Sequence, residues 1–158
     1  MNTFLNARNK FNVERSKMII RANILNNLKL EKAQISKDSL MLDEFFNISR
    51  HSDLDLLQNL VKDITPPEKY DNVYLKHLYK DQDKELILVW LQNKIPVESH
   101  DEHLESIFIL EGSCDCYVDD LFIQLEKGGY IQIPLNVDHT IISTSSKPVK
   151  AIVSLVKV

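Results

Sequence analysis

The chain has 158 residues, the length of one domain or of a small domain with an appendage. Its composition, 44% hydrophobic and 27% charged, is ordinary for a globular protein and excludes a low-complexity or disordered chain. No apolar run approaches the roughly 20 residues of a membrane span, and the N-terminus has no signal-peptide core, so a cytoplasmic protein is expected.

Charge divides the chain. Residues 1–66 hold ten Lys and Arg against eight Asp and Glu, a balance of +2, whereas residues 67–158 hold nine against fifteen, a balance of −6. The expected organisation is a helical N-terminal segment over 1–65 followed by a second domain over 66–158.

Residues 3–29 predict a helix. Phe4, Ala7, Phe11, Met18, Ala22 and Leu25 recur at helical spacing, with Thr3 or Asn12 as candidate caps. Its basic residues (Arg8, Lys10, Arg15, Lys17, Arg21, Lys29) read as a solvated face. They have no interleaved aromatics and no helix-turn-helix pattern, so nucleic acid is not an expected partner. A second helix follows Ser36 or Lys37, with Leu40, Met41, Phe45 and Phe46 on one side. Ser52-Asp-Leu-Asp55 reads as a capping box before a third, whose Leu54, Leu57, Leu60 and Val61 face one way. Such helices need a surface to pack on: each other, the following domain, or a second chain.

Ile64-Thr-Pro-Pro67 ends the helices, because the residue before each proline is pushed to extended backbone. The hydrophobic period then changes to two. Val73–Leu78 and Glu85–Trp90 predict strands joined by the charged turn Lys80-Asp-Gln-Asp-Lys84, and Cys114–Val118, Leu121–Leu125, Tyr130–Ile133, Thr140–Ser143 and Val149–Val156 continue the series. Many short strands with turn signals between them suit an all-β, antiparallel jelly roll. Cys114 and Cys116, two apart on one strand face, read as small core fillers rather than as a disulfide.

Between Pro96 and Ser143 the chain gathers its chemistry. Alternation puts Glu98 and His100 on one face of a strand, and Glu105, Ile107 and Ile109 on one face of the next. A carboxylate heading an apolar row points into a barrel, where it needs a cation or a hydrogen-bond partner. Ile107, Ile109 and Ile141 would line a small apolar cavity.

These residues resemble the cupin family. Its first motif, Gly-x5-His-x-His-x(3,4)-Glu-x6-Gly, is matched in its second half by His100-x4-Glu105-x6-Gly112. Its second, Gly-x5-Pro-x-Gly-x2-His-x3-Asn, is matched by Gly128-x5-Pro134-x-Asn136-x2-His139-x3-Ser143, with Asn for Gly and Ser for Asn. Gln92 stands where the first motif has Gly, and Glu98 where it has its first His. The resemblance implies a cupin jelly-roll barrel with His100, Glu105 and His139 as metal ligands. Glu98 would complete the set, and His103, on the same strand parity as Glu105, is the alternative. Two imidazoles with carboxylates suit a divalent transition metal (Fe, Mn, Ni or Zn) better than calcium.

A second resemblance is to the cupin half of cupin-containing anti-sigma factors, which also carry a small helical domain first. Residues 1–66 depart from it in having no Cys and only His51. Three functions follow as expectations: a small-molecule or redox sensing module that engages a protein partner through the N-terminal helices; a metal-dependent enzyme, Fe(II) dioxygenase-like or an isomerase; or a metal-free ligand-binding cupin. A homodimer is also expected. Phe108 and Leu110 must face away from the barrel interior, and with Tyr117 and Phe122 they make an apolar patch for a two-fold interface centred near Phe108. Cover by the helical segment within one chain is the competing arrangement.

Overall fold

The computed structural model describes residues 2–158, with side chains from Arg21 onward. The stripe of Phe4, Ala7, Phe11 and Met18, the candidate caps Thr3 and Asn12, and the basic residues Arg8, Lys10, Arg15 and Lys17 fall outside the described side chains.

The chain divides into two compact units, Met1–Ser39 and Leu40–Val158. The first unit is helical. Where two helices were expected there is one, α1 (Asn2–Phe46). No Gly or Pro occurs before Pro66, so nothing in the sequence breaks the backbone hydrogen-bond ladder between the two apolar stretches. Along this unit Leu25, Leu28 and Ile35 are exposed.

The second unit holds the last turns of α1, a short helix α2 (Leu54–Leu60) and nine strands. Asp53 caps α2, its carboxylate accepting from the Leu56 amide at 3.1 Å. Ser52 instead accepts from the Ser49 amide, which tightens the turn before the helix, so the cap lies one residue later than the capping-box pattern suggested. Leu57, Leu60 and Val61 are buried on one face, as their spacing predicted.

The strands are β1 (Val73–Lys80), β2 (Lys84–Leu91), β3 (Lys94–Glu98), β4 (His103–Glu111), β5 (Ser113–Val118), β6 (Leu121–Glu126), β7 (Tyr130–Ile133), β8 (His139–Ser143) and β9 (Val149–Lys157). Two antiparallel sheets form, β1-β2-β9-β4-β7 and β3-β8-β5-β6. This is the expected all-β jelly roll, preceded by helix.

Alternation along β4 sorts the core into two. Ile107 and Ile109 face inward and pack with Cys114, Cys116 and Ile133 between the sheets. Phe108 and Leu110 face outward from the larger sheet and are buried with Phe45, Leu57, Trp90 and Ile152. Phe108 is 1% exposed within a single chain, beneath α2 and the end of α1, the competing arrangement to a patch left open at Phe108. Two polar contacts fix that cover. Gln58 Nε2 donates to the Leu110 carbonyl at 2.7 Å, and Lys150 Nζ to the Val61 carbonyl at 3.4 Å, with the ammonium 5.4 Å from the Trp90 ring centre. Tyr117 and Phe122, on the smaller sheet, stay exposed with ring centres 5.1 Å apart.

Candidate metal centre

Four side chains converge at one end of the space between the sheets. Glu98 closes β3, Glu105 lies near the start of β4, and His139 opens β8. His100 lies past the end of β3 in the loop that leads to β4, not on the strand as alternation suggested. One ligand atom from each of the four lies within 4.8 Å of those of the others. His103 is not in that group.

Local chain geometry sets these positions. Glu98 is paired with His139 across β3 and β8, after a register shift that follows Ile95. Asn136 has φ of 56°, a left-handed conformation that Gly adopts freely and Asn tolerates better than most residues. That accounts for Asn at the motif's Gly position. The same turn directs the Asn136 amide to the His100 carbonyl at 2.7 Å, tying the loop of one ligand to the approach of another. Gly112, with φ of 82°, also has no room for a side chain, because a Cβ would stand 2.7 Å from Ser145 Oγ and 3.2 Å from the Val149 Cα.

Within the cluster, Glu105 Oε2 lies 2.9 Å from His139 Nε2 and 3.2 Å from His100 Nε2, and Glu98 Oε1 is 3.6 Å from His139 Nε2. His139 Nδ1 is 3.1 Å from the Val137 carbonyl. A carbonyl only accepts, so Nδ1 carries the proton and, in the neutral ring, Nε2 presents a lone pair. That Nε2 is buried and has no hydrogen-bond partner of acceptable geometry. A lone pair facing a carboxylate, with the His139 and Glu105 side chains 1% and 7% exposed, calls for a positive charge between them.

Either a proton or a metal ion can supply that charge. Burial pushes the His139 pKa down, but the Glu105 carboxylate 2.9 Å from Nε2, the Val137 carbonyl at Nδ1 and the charge of Glu98 outweigh it, leaving the pKa raised above the ordinary 6.5. The donor set fits a metal equally well. Two carboxylates and two neutral imidazoles balance a divalent ion. Ligands held at about 2.1 Å lie up to about 4.2 Å apart, so the group closes on an ion with a contraction of roughly half an ångström. Nitrogen with oxygen donors favours a first-row transition ion over calcium.

The cluster opens on a cavity of about 220 Å³. Val73 and Leu75 of β1, Val89 of β2 and Ala151 of β9 form one wall, and Ile95 and Ile141 belong to the other sheet. Ile107, Ile109 and Ile141 line it as expected. Apart from Glu98, His100 and Glu105, every lining residue is aliphatic. The contribution of β1, β2 and β9 to this wall was not assigned from sequence, although the alternation of those strands carries it.

Cys114 and Cys116 are core residues, each 1% exposed, with sulfur atoms 3.9 Å apart. The contact with Cys114, then burial, pushes the Cys116 thiol far up, so it stays protonated. The remaining histidines serve locally: His77 pairs with Glu85 at 2.6 Å, and His51 is exposed.

The barrel is a two-sheet jelly roll with, inside one end, a His and Glu cluster that could hold a metal ion. The family model described as "Cupin domain" matches residues 87–155, which include His100, Glu105 and His139. Solved structures agree at the level of fold. The Cnp3 cupin domain of Schizosaccharomyces pombe is 16% identical with a TM-score of 0.54, covering 56% of this chain and 67% of that one. TT1209 of Thermus thermophilus is 16% identical with a TM-score of 0.56, covering 61% and 93%. A predicted oxalate decarboxylase of Thermotoga maritima is 14% identical with a TM-score of 0.51, covering 54% and 81%. The search of curated proteins gave no match. Among the described residues, no helix is long and apolar enough to cross a membrane.

Proposed function

We propose that this cupin holds one divalent transition ion between Glu98, His100, Glu105 and His139, and that it works as a sensing module by anchoring a small molecule in the barrel. The observation that carries this is the buried His139 Nε2, lone pair outward and without a hydrogen-bond partner, 2.9 Å from Glu105. A bound ion would supply Lewis acidity and open positions for a ligand's oxygen or nitrogen. The chain's residues supply the rest. Val137 fixes the His139 tautomer, Asn136 holds the His100 loop, and the aliphatic walls exclude water.

Binding is favoured over turnover because the cavity offers no acid or base beyond the ligand set itself. For output, the reading assigns α1 to a protein partner or to a second copy of the chain. Its exposed Ile24, Leu25, Leu28 and Ile35 are the support for that role.

Calorimetric titration of chelator-treated protein with Fe(II), Mn(II), Ni(II) and Zn(II) tests the site. One ion per chain is expected, with binding lost in His100→Ala. No binding of any of the four would refute the reading.

A further inference from the structure

The walls of the cavity select a chemical class. We infer that the barrel takes a small, mainly aliphatic or aromatic acid of about nine non-hydrogen atoms, its single carboxylate at the cluster and its apolar body among the side chains of β1, β2 and β9. The inference deepens the proposed function and rests on it for the polar end alone.

Size comes first. An apolar cavity of about 150 Å³ holds one benzene, so the 220 Å³ here scales to about nine non-hydrogen atoms. Polarity comes next. Away from Glu98, His100 and Glu105 the lining side chains are aliphatic, and the wall strands β2, β4 and β9 hydrogen-bond to neighbours on both edges. Their backbone groups are therefore already paired. A hydroxyl, ammonium or second carboxylate on the body of a ligand would lose its water and meet no polar side chain there. Sugars, polyols, amino acids and dicarboxylates are disfavoured on this ground.

Charge fixes the head. Glu98 and Glu105 repel an anion in the metal-free chain, whereas a divalent ion cancels their charge and offers the carboxylate a bond. Binding of the acid therefore requires metal, and binding of a neutral analogue does not.

The test is calorimetry on the full chain with hexanoate, its dicarboxylate counterpart adipate, and 1-hexanol, with metal content measured on the same samples. Metal-loaded protein should bind hexanoate about ten- to a hundredfold more tightly than adipate, the cost of one stranded polar group. Ala151→Leu or Val89→Phe should fill the cavity and abolish that binding with metal content unchanged. Two variants are used so that either one, if folded by thermal melt, decides. Adipate binding as tightly as hexanoate, or hexanoate bound undiminished by a folded cavity variant, would overturn the inference. A protein that takes up no metal refutes the proposed function separately. In that event 1-hexanol bound by the metal-free chain and lost in the cavity variant sustains the apolar class, and no binding of 1-hexanol overturns it.

Discussion

The site turns on the two nitrogens of His139. The Val137 carbonyl accepts a hydrogen bond from Nδ1–H, so Nε2 is left to take a proton or a metal ion. His139→Ala and His100→Ala should each abolish metal retention in a folded barrel, because water replaces an imidazole poorly. Glu98→Ala should have a smaller effect: its side chain is 45% exposed and 3.6 Å from His139, so solvent can stand in for it. Metal analysis after gel filtration reads all three. The same nitrogen sets a pH dependence. With His139 raised above 6.5 in the metal-free chain, the protonated ring stabilises the fold. That contribution is complete below the unfolded value and is lost as pH rises through the folded one. Melts in chelator should therefore show stability falling as pH rises above 6.5. The proton also competes with metal, so metal retention should fall as pH drops through the raised value. Retention that is flat across that range would contradict the tautomer assignment.

At the scale of elements, the helical cover is part of the fold rather than an addition to it. Phe108 is 1% exposed on the outer face of β4 and packs with Phe45 of α1 and Leu57 of α2. Phe108→Ala should cost about 3–5 kcal/mol, the range for a buried aromatic, and chemical denaturation measures it. Losing the Asp53 cap in Asp53→Ala should cost about 1 kcal/mol. Alternation showed that Phe108 and Leu110 point away from Ile107 and Ile109, but periodicity does not say what covers an outward face. Leu57, Leu60 and Val61 were legible as a stripe, but sequence left their contact with Phe108 as one of two arrangements, beside a dimer. The strands were legible because their period of two survives in sequence. His100 was misplaced because a strand that ends at Glu98 leaves no mark in its spacing. The clustering of Glu98, His100, Glu105 and His139 was readable through motif spacing, including Asn136 at a Gly position. The Val137 carbonyl that orients His139 was not, since backbone groups leave no sequence signal.

For the whole molecule, the chain divides into two compact units between Ser39 and Leu40, which sets a truncation test. Chain beginning at Leu40 should melt cooperatively near the temperature of the full chain, whereas chain beginning at Pro67 uncovers Phe108, Leu110 and Trp90 and should aggregate or melt far lower. Equal melting of the two would show that the helices contribute nothing to the barrel. Dimerisation is tested apart from this, by sedimentation at micromolar concentration: a mass near 18.3 kDa contradicts it. The central claim is the metal centre at the head of an aliphatic cavity. Elemental analysis of full-length protein purified without chelators tests it most directly, run beside His139→Ala. The account predicts close to one first-row transition ion per wild-type chain and almost none in the variant, and equal metal content in the two would contradict it.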